Sequence, residues 1–152
     1  MNSFARLLSM SRAERRLLGR ALATNIRARV ALHFLSMDRL RRWATTPAVS
    51  PATVDVEQIV WACRAAAQRM PFATCLSSAL ALQHLLARSG HASELHIGVA
   101  DDAREFQAHA WLEREGRILI GEQDHDRYSR LTSWMAVAGE PGRRDSGQRD
   151  GS

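Results

Sequence analysis

The sequence predicts an α+β domain in which several helices precede a small antiparallel sheet. Up to Gly90, apolar residues recur every three or four positions, the spacing that gives a helix one apolar side. After Gly90 they fall in short runs, and Glu115-Gly116 between two of these runs is typical of a tight hairpin turn. The chain has 152 residues, 45% of them hydrophobic, which is enough for one domain with a core.

The composition excludes several classes of protein. Two cysteines are too few for a disulfide framework or a zinc ribbon, and no apolar run is long enough to cross a bilayer. The histidines have no zinc-ligand spacing, and arginines interrupt every apolar stretch that a secretory signal needs. We therefore expect a cytoplasmic protein with no metal, no cofactor and no transmembrane segment. All 21 basic residues are arginine, and the net charge of +5 suits an acidic peptide or protein partner.

Residues 1–54 are predicted to form a basic helical segment followed by a linker. Ser11 and Glu14 have the spacing of a capping box, which starts a helix. An apolar stripe follows at every fourth residue: Leu18, Leu22, Ile26, Val30 and Phe34. We expect this stripe to pack on the core, although an arginine-rich, acid-poor start also resembles a transit peptide or a membrane-surface helix. Two prolines within 45–54 predict the linker.

Residues 55–138 are predicted to be the core, and the polar residues 139–152 a disordered tail. One helix is expected from Asp55 to Gln68, and a second from Cys75 to Arg88, capped by Thr74. Gly90 stands where a helix end favours a left-handed residue. The predicted strands are 93–100, 106–113 and 117–122.

Cys75 is the first candidate for chemistry. At the start of a helix, free backbone N–H groups and the helix dipole favour a thiolate, so this cysteine has the environment of a nucleophile. Its own N–H is a candidate oxyanion donor, with Gln68 or Gln107 as a possible second donor. The alternative is a packed structural cysteine, the role that Cys63 is expected to have.

His109 is the candidate base, because it lies in a predicted strand between two small residues. If Glu115-Gly116 forms a two-residue turn, the hairpin ladder places Glu122 directly opposite His109, where a carboxylate orients the imidazole. A shift of one residue places Gln123 there instead. Asp124 is the fallback for the third position, and Asp126 is a weaker candidate. The residues thus predict a triad of Cys75, His109 and Glu122.

The succession of sequence blocks around these residues resembles the lasso-peptide leader peptidases. The resemblance covers about residues 55–135. Its blocks are the run from Cys75 to Leu82, Leu85 to Gly90, His96 to Val99, and Phe106 to Glu113 with Gly116. The basic helical start and the segment from Tyr128 to Leu131 are also similar to what such proteins carry.

The resemblance implies a transglutaminase-like, papain-related cysteine protease that cuts a precursor peptide between leader and core. A separate ATP-dependent cyclase then joins the freed amine to a side-chain carboxylate. By the family motif Cys75 is the nucleophile and His109 the base. Two positions depart from it: the third residue is usually Asp where Glu122 stands here, and an Arg often follows the Cys where this chain has Ser77 and Ser78.

Partners follow from the same resemblance. Residues 1–54 show no winged-helix pattern, so we expect a stand-alone protease that needs a separate leader-recognition protein, docked on residues 1–44 or on a strand edge. Two other functions are compatible with the residues. One is acyl transfer from the same thioester to an amine. The other is a basic binding protein for a peptide, RNA or an anionic membrane, although no nucleic-acid signature is present.

Overall fold

The structure is a computed structural model that describes residues 9–48, 54–102, 105–122 and 128–137. The predicted tail 139–152 lies outside these ranges. In the part of the chain that the structure describes, four helices precede a four-stranded antiparallel sheet, so the predicted α+β class is confirmed. The helices are α1 (Arg12–Phe34), α2 (Met37–Thr45), α3 (Val56–Arg69) and α4 (Cys75–Arg88). The strands are β1 (Ser93–Asp102), β2 (Glu105–Arg114), β3 (Arg117–Ile120) and β4 (Ser129–Ala136).

The helix ends agree closely with the local signals in the sequence. At α1, Ser11 Oγ accepts the Glu14 N–H at 3.1 Å, and the Glu14 carboxylate accepts the Ser11 N–H at 2.7 Å. This is the predicted capping box. Gly90 follows the end of α4 and has a φ of 80°, the left-handed conformation predicted for this position. Because these caps satisfy the backbone groups at the helix ends, the ends depend little on tertiary contacts.

The core lies between the helices and one face of the sheet. Alanine and leucine side chains from all four helices pack against Leu95 of β1, Ala110 and Leu112 of β2, and Leu119 of β3. Both α1 and α2 contribute buried residues to this cluster. The division of the chain at residue 54 stays a prediction.

The predicted stripe of α1 is buried only at its start. Leu18 is 5% exposed, whereas Ile26, Val30 and Phe34 are 46%, 51% and 82% exposed. The buried face runs instead through Ala21, Thr24, Asn25 and Ala28. Small residues let α1 approach α3 and α4 closely, so the large apolar residues beside them turn outward.

Among the described residues, the sheet has one strand more than predicted, in the order β3-β2-β1-β4. β4 pairs antiparallel with β1 at the edge of the sheet. Six of its eight residues are exposed. A strand this exposed does not need the alternation of apolar and polar residues by which a half-buried strand is predicted, and the sequence of β4 lacks it. Within the described ranges, no helix combines the length and the apolar character that crossing a membrane requires.

Candidate active site

Cys75 is the first residue of α4, and its side chain is exposed. The cap in front of it is reciprocal. Thr74 Oγ1 accepts the Ser77 N–H at 3.1 Å, and Ser77 Oγ accepts the Thr74 N–H at 2.9 Å. This cap fixes the first turn of α4, so the thiol stands at the positive end of the helix dipole.

The first turn of α4 also leaves backbone donors beside the thiol. The Ser77 N–H is taken by the cap, and the Ser78 N–H donates to the Thr74 carbonyl at 3.0 Å. Among the described residues, the N–H groups of Cys75 and Leu76 have no acceptor. They point out of the helix start, the place where an oxyanion next to Sγ would develop.

The second cysteine has the opposite environment. Cys63 lies in the middle of α3, is fully buried, and is a free thiol. Burial in this apolar core raises the pKa of the Cys63 thiol to about 12. The structure therefore supports the expected division into one structural and one accessible cysteine.

His109 lies on β2, opposite Gly98 of β1. Ala110 and Leu112 on the same strand pack in the core. Successive side chains of a strand point to opposite faces, so His109 and Trp111 extend from the other face of β2. The imidazole is half-buried and stacks on the ring of Tyr128, with 5.0 Å between ring centroids. The ring centroid of Trp111 lies 6.2 Å from that of His109.

One hydrogen bond fixes the proton on this imidazole. His109 Nε2 lies 2.8 Å from the carbonyl oxygen of Gly121. A carbonyl only accepts, so Nε2 must be the protonated nitrogen and Nδ1 is the basic one in the neutral ring.

The predicted partner of His109 is not directly opposite it. The first two pairs of the β2–β3 hairpin have the predicted register, but Leu119 is then an extra residue, and Leu112 pairs with Ile120. Such a bulge shifts every later pair by one position. β3 also ends at Ile120, so the predicted direct pairing of His109 with Glu122 is not formed.

The Glu122 side chain forms an ion pair with a residue of helix α3. Its Oε1 lies 3.5 Å from Nη2 of Arg64 on α3, and its side chain is 59% exposed. The same guanidinium donates to the Leu119 carbonyl from Nε at 3.1 Å and from Nη2 at 2.8 Å. Asp124 and Asp126 lie outside the described residues, as does Gln123.

Cys75 and His109, both described by the structure, form no hydrogen bond with each other, so their pairing stays a prediction. Gln83 of α4 is tied to the Ser93 carbonyl at the start of β1, and the short loop between them makes α4 and β1 antiparallel. Cys75 is eight residues before Gln83, about 12 Å along a helix. Gly98, the partner of His109, is five residues after Ser93, about 16 Å along a strand. The two residues therefore lie at comparable levels along the sheet, but His109 extends from the face of β2 opposite the core on which α4 packs.

The sequence reasoning missed Gly121 as a partner of His109. The available signal was a glycine near the end of an apolar strand pattern, which often marks a bulge or a close backbone approach. Gly121 has a φ of 82°, and its chain passes directly over Ala110 and Trp111.

Comparison with known families places this arrangement in a wider group. The family model of the transglutaminase-like superfamily matches residues 17–133, well over half of the chain. Searches of curated proteins and of solved structures gave no match. A transglutaminase-like domain indicates a fold of the cysteine peptidase or acyltransferase type. This chain, in which a capped helix carrying Cys75 precedes an antiparallel sheet, therefore belongs to the transglutaminase-like superfamily.

Proposed function

We propose that this chain is a cysteine peptidase that removes the leader from a lasso-peptide precursor. The observation that carries the proposal is the exposed Cys75 thiol at the capped start of α4, in a chain of the transglutaminase-like superfamily. The choice of a lasso-peptide precursor is supported by the sequence blocks around Cys75 and His109.

In the proposed mechanism Cys75 Sγ attacks the carbonyl carbon at the leader–core junction. His109 Nδ1 takes the thiol proton and returns it to the departing amine of the core, which leaves a thioester on Cys75. Water then hydrolyses the thioester and frees the carboxylate of the leader. The N–H groups of Cys75 and Leu76 stabilise the oxyanion in both steps.

The chemistry of the products defines the partners. The freed core amine is the nucleophile for an amide bond, so a separate cyclase that activates a carboxylate has to act next. A separate leader-recognition protein holds the precursor for the cut. We place the reaction in the cytoplasm.

Acyl transfer is the second candidate, because the superfamily includes this chemistry and the thioester on Cys75 is common to both reactions. In that case an amine rather than water attacks the thioester. A transferase forms an amide with an added amine such as glycine methyl ester, whereas a peptidase releases the leader as a free acid.

The test is a cleavage assay on the precursor encoded beside the gene, with and without the recognition protein, read by mass spectrometry. We expect one cut at the leader–core junction, lost in Cys75→Ala and reduced at least about a hundredfold in His109→Ala. The matched control is Cys63→Ala, which removes the buried thiol and leaves the cut in place. Cleavage that survives Cys75→Ala, or no cleavage with the recognition protein present, would contradict the proposal.

A further inference from the structure

The contact between His109 and the main chain after β3 has a chemical consequence. Nε2 of the imidazole and the carbonyl oxygen of Gly121 are 2.8 Å apart, a good hydrogen-bond distance. In a cysteine–histidine site one ring nitrogen exchanges a proton with sulfur, while the other is held by an acceptor that fixes the tautomer. Here the acceptor in contact with the ring is a backbone carbonyl.

Two features, one in β3 and one directly after it, bring this carbonyl within hydrogen-bond distance of the imidazole. The extra residue Leu119 advances the chain by one position relative to β2. Gly121 then adopts a φ of 82°, which turns the chain across β2. A Cβ at this position would lie 2.5 Å from the Ala110 oxygen and 2.9 Å from Trp111 Cα, so glycine is required both by conformation and by space.

The nearby carboxylate has a different contact. Glu122 pairs with Arg64 of α3, and more than half of its side chain is exposed. An exposed carboxylate in water stabilises a charged partner weakly. The carbonyl, in contrast, accepts from a half-buried imidazole that stacks on Tyr128 and lies near Trp111.

We propose that the Gly121 carbonyl occupies the third position of the site, in the role that a carboxylate was expected to have. It holds the proton on His109 Nε2 and thereby presents Nδ1 as the base. When Nδ1 accepts the Cys75 proton, the Nε2–H bond to the carbonyl is retained and no proton reaches Gly121. Gly121 is therefore a positioning residue. The inference rests on the proposed function for its catalytic meaning, but the tautomer is a property of the resting protein.

The first test is the tautomer of His109 in the wild-type protein, read from long-range ¹H–¹⁵N NMR correlations above the titration range of histidine. The His109 signals are identified by their loss in His109→Gln. We expect the Nε2–H tautomer, with Nδ1 unprotonated. The Nδ1–H tautomer would overturn the inference without affecting the assignment of Cys75 as nucleophile.

The second test compares Gly121→Ala with Gly116→Ala. Both glycines have a positive φ, but a Cβ at Gly116 meets no described atom within 4 Å, so this variant isolates the backbone strain. We expect Gly121→Ala to lower kcat for precursor cleavage at least about tenfold with little change in KM, and to populate the Nδ1–H tautomer. Gly116→Ala is expected to remain within about twofold of wild type.

Glu122→Gln separates the carbonyl from the carboxylate. If the carbonyl orients His109, Glu122→Gln keeps the Nε2–H tautomer and changes kcat by less than about threefold. A loss of a hundredfold or more, with the tautomer changed, would return the role to Glu122. If the precursor is not cleaved at all, the proposed function fails, while the tautomer measurement still decides the contact.

Discussion

The two cysteine thiols differ in accessibility, because α4 exposes Cys75 and α3 buries Cys63. Cys75 is exposed at the start of a helix, beside free backbone N–H groups. Cys63 is fully buried, and this burial raises the pKa of its thiol to about 12. Within one protein, one cysteine is thus an internal control for the other.

We expect iodoacetamide to add one label to the native protein, at Cys75. Cys63 should be labelled only after unfolding, because both its burial and its raised pKa suppress the thiolate. Peptide mass spectrometry identifies the site, and Cys75→Ser should take up no label. If His109 stabilises the Cys75 thiolate, His109→Ala moves the pH profile of labelling upward. A profile that His109→Ala leaves unchanged would contradict the proposed pair.

His84 links stability to pH. Its ring stacks on Trp43 at 4.3 Å, and burial, followed by the charges of Arg88, Arg27 and Arg20, lowers its pKa from 6.5. Because the folded pKa lies below the unfolded value, the unfolded chain binds more protons as the pH falls through 6.5. Stability present above this pH is therefore lost on acidification.

The measurement is the free energy of unfolding in urea at pH 7.5 and at pH 5.5. Wild type should lose more stability between these two pH values than His84→Gln, which removes the titrating group. Equal losses in the two proteins would show that His84 does not contribute to the pH dependence.

At the scale of single elements, helix α1 shows that periodicity does not settle which side of a helix is buried. Two apolar faces lie next to each other on α1. The face with Ala21 and Ala28 packs against the other helices, and the face with Ile26, Val30 and Phe34 is open to solvent. A helix with small residues packs more closely, and the longer side chains are then displaced from the interface.

Alanine substitutions along α1 test this assignment. Leu18→Ala should lower the free energy of unfolding by about 2–4 kcal/mol, because it leaves a cavity in the core. Phe34→Ala should change it by less than about 0.5 kcal/mol, since Phe34 is exposed. Urea denaturation measures both. A loss of 2 kcal/mol or more in Phe34→Ala would mean that the C-terminal half of α1 packs on the core after all.

At the scale of the whole molecule, Gln83 joins the helical layer to the far edge of the sheet. It is fully buried in α4, its Oε1 accepts the Trp134 Nε1–H of β4 at 2.8 Å, and its Nε2 reaches the Ser93 carbonyl of β1 at 3.4 Å. One side chain thus connects three elements across the core. Its position among the apolar residues of α4 gave no indication of this role.

Replacing Gln83 by leucine should lower the free energy of unfolding by about 1–3 kcal/mol, because the indole N–H loses its acceptor in a poorly solvated place. Trp134→Phe removes the donor instead. The double variant should lose less stability than the sum of the losses in the two single variants, since the second change removes the unpaired group that the first one leaves. Strictly additive losses would argue against a shared hydrogen bond.

The sequence by itself determined the features whose signals are local. The capping residues at Ser11 and Thr74 and the left-handed Gly90 predicted helix ends correctly, because a cap satisfies backbone groups only three residues away. The same local turn chemistry predicted the Glu115-Gly116 hairpin and placed Cys75 at a helix start. The order of helices and strands followed, and with it the fold class.

Only the tertiary structure decided which side of α1 is buried, that β4 completes the sheet, and that Leu119 is an extra residue in β3. Each depends on side chains or strands far apart in the chain, and a shift of one residue reverses the face of every later residue in a strand. For this reason the acceptor beside His109 is the carbonyl of Gly121, where the sequence offered only a glycine that could mark a bulge or a close backbone approach.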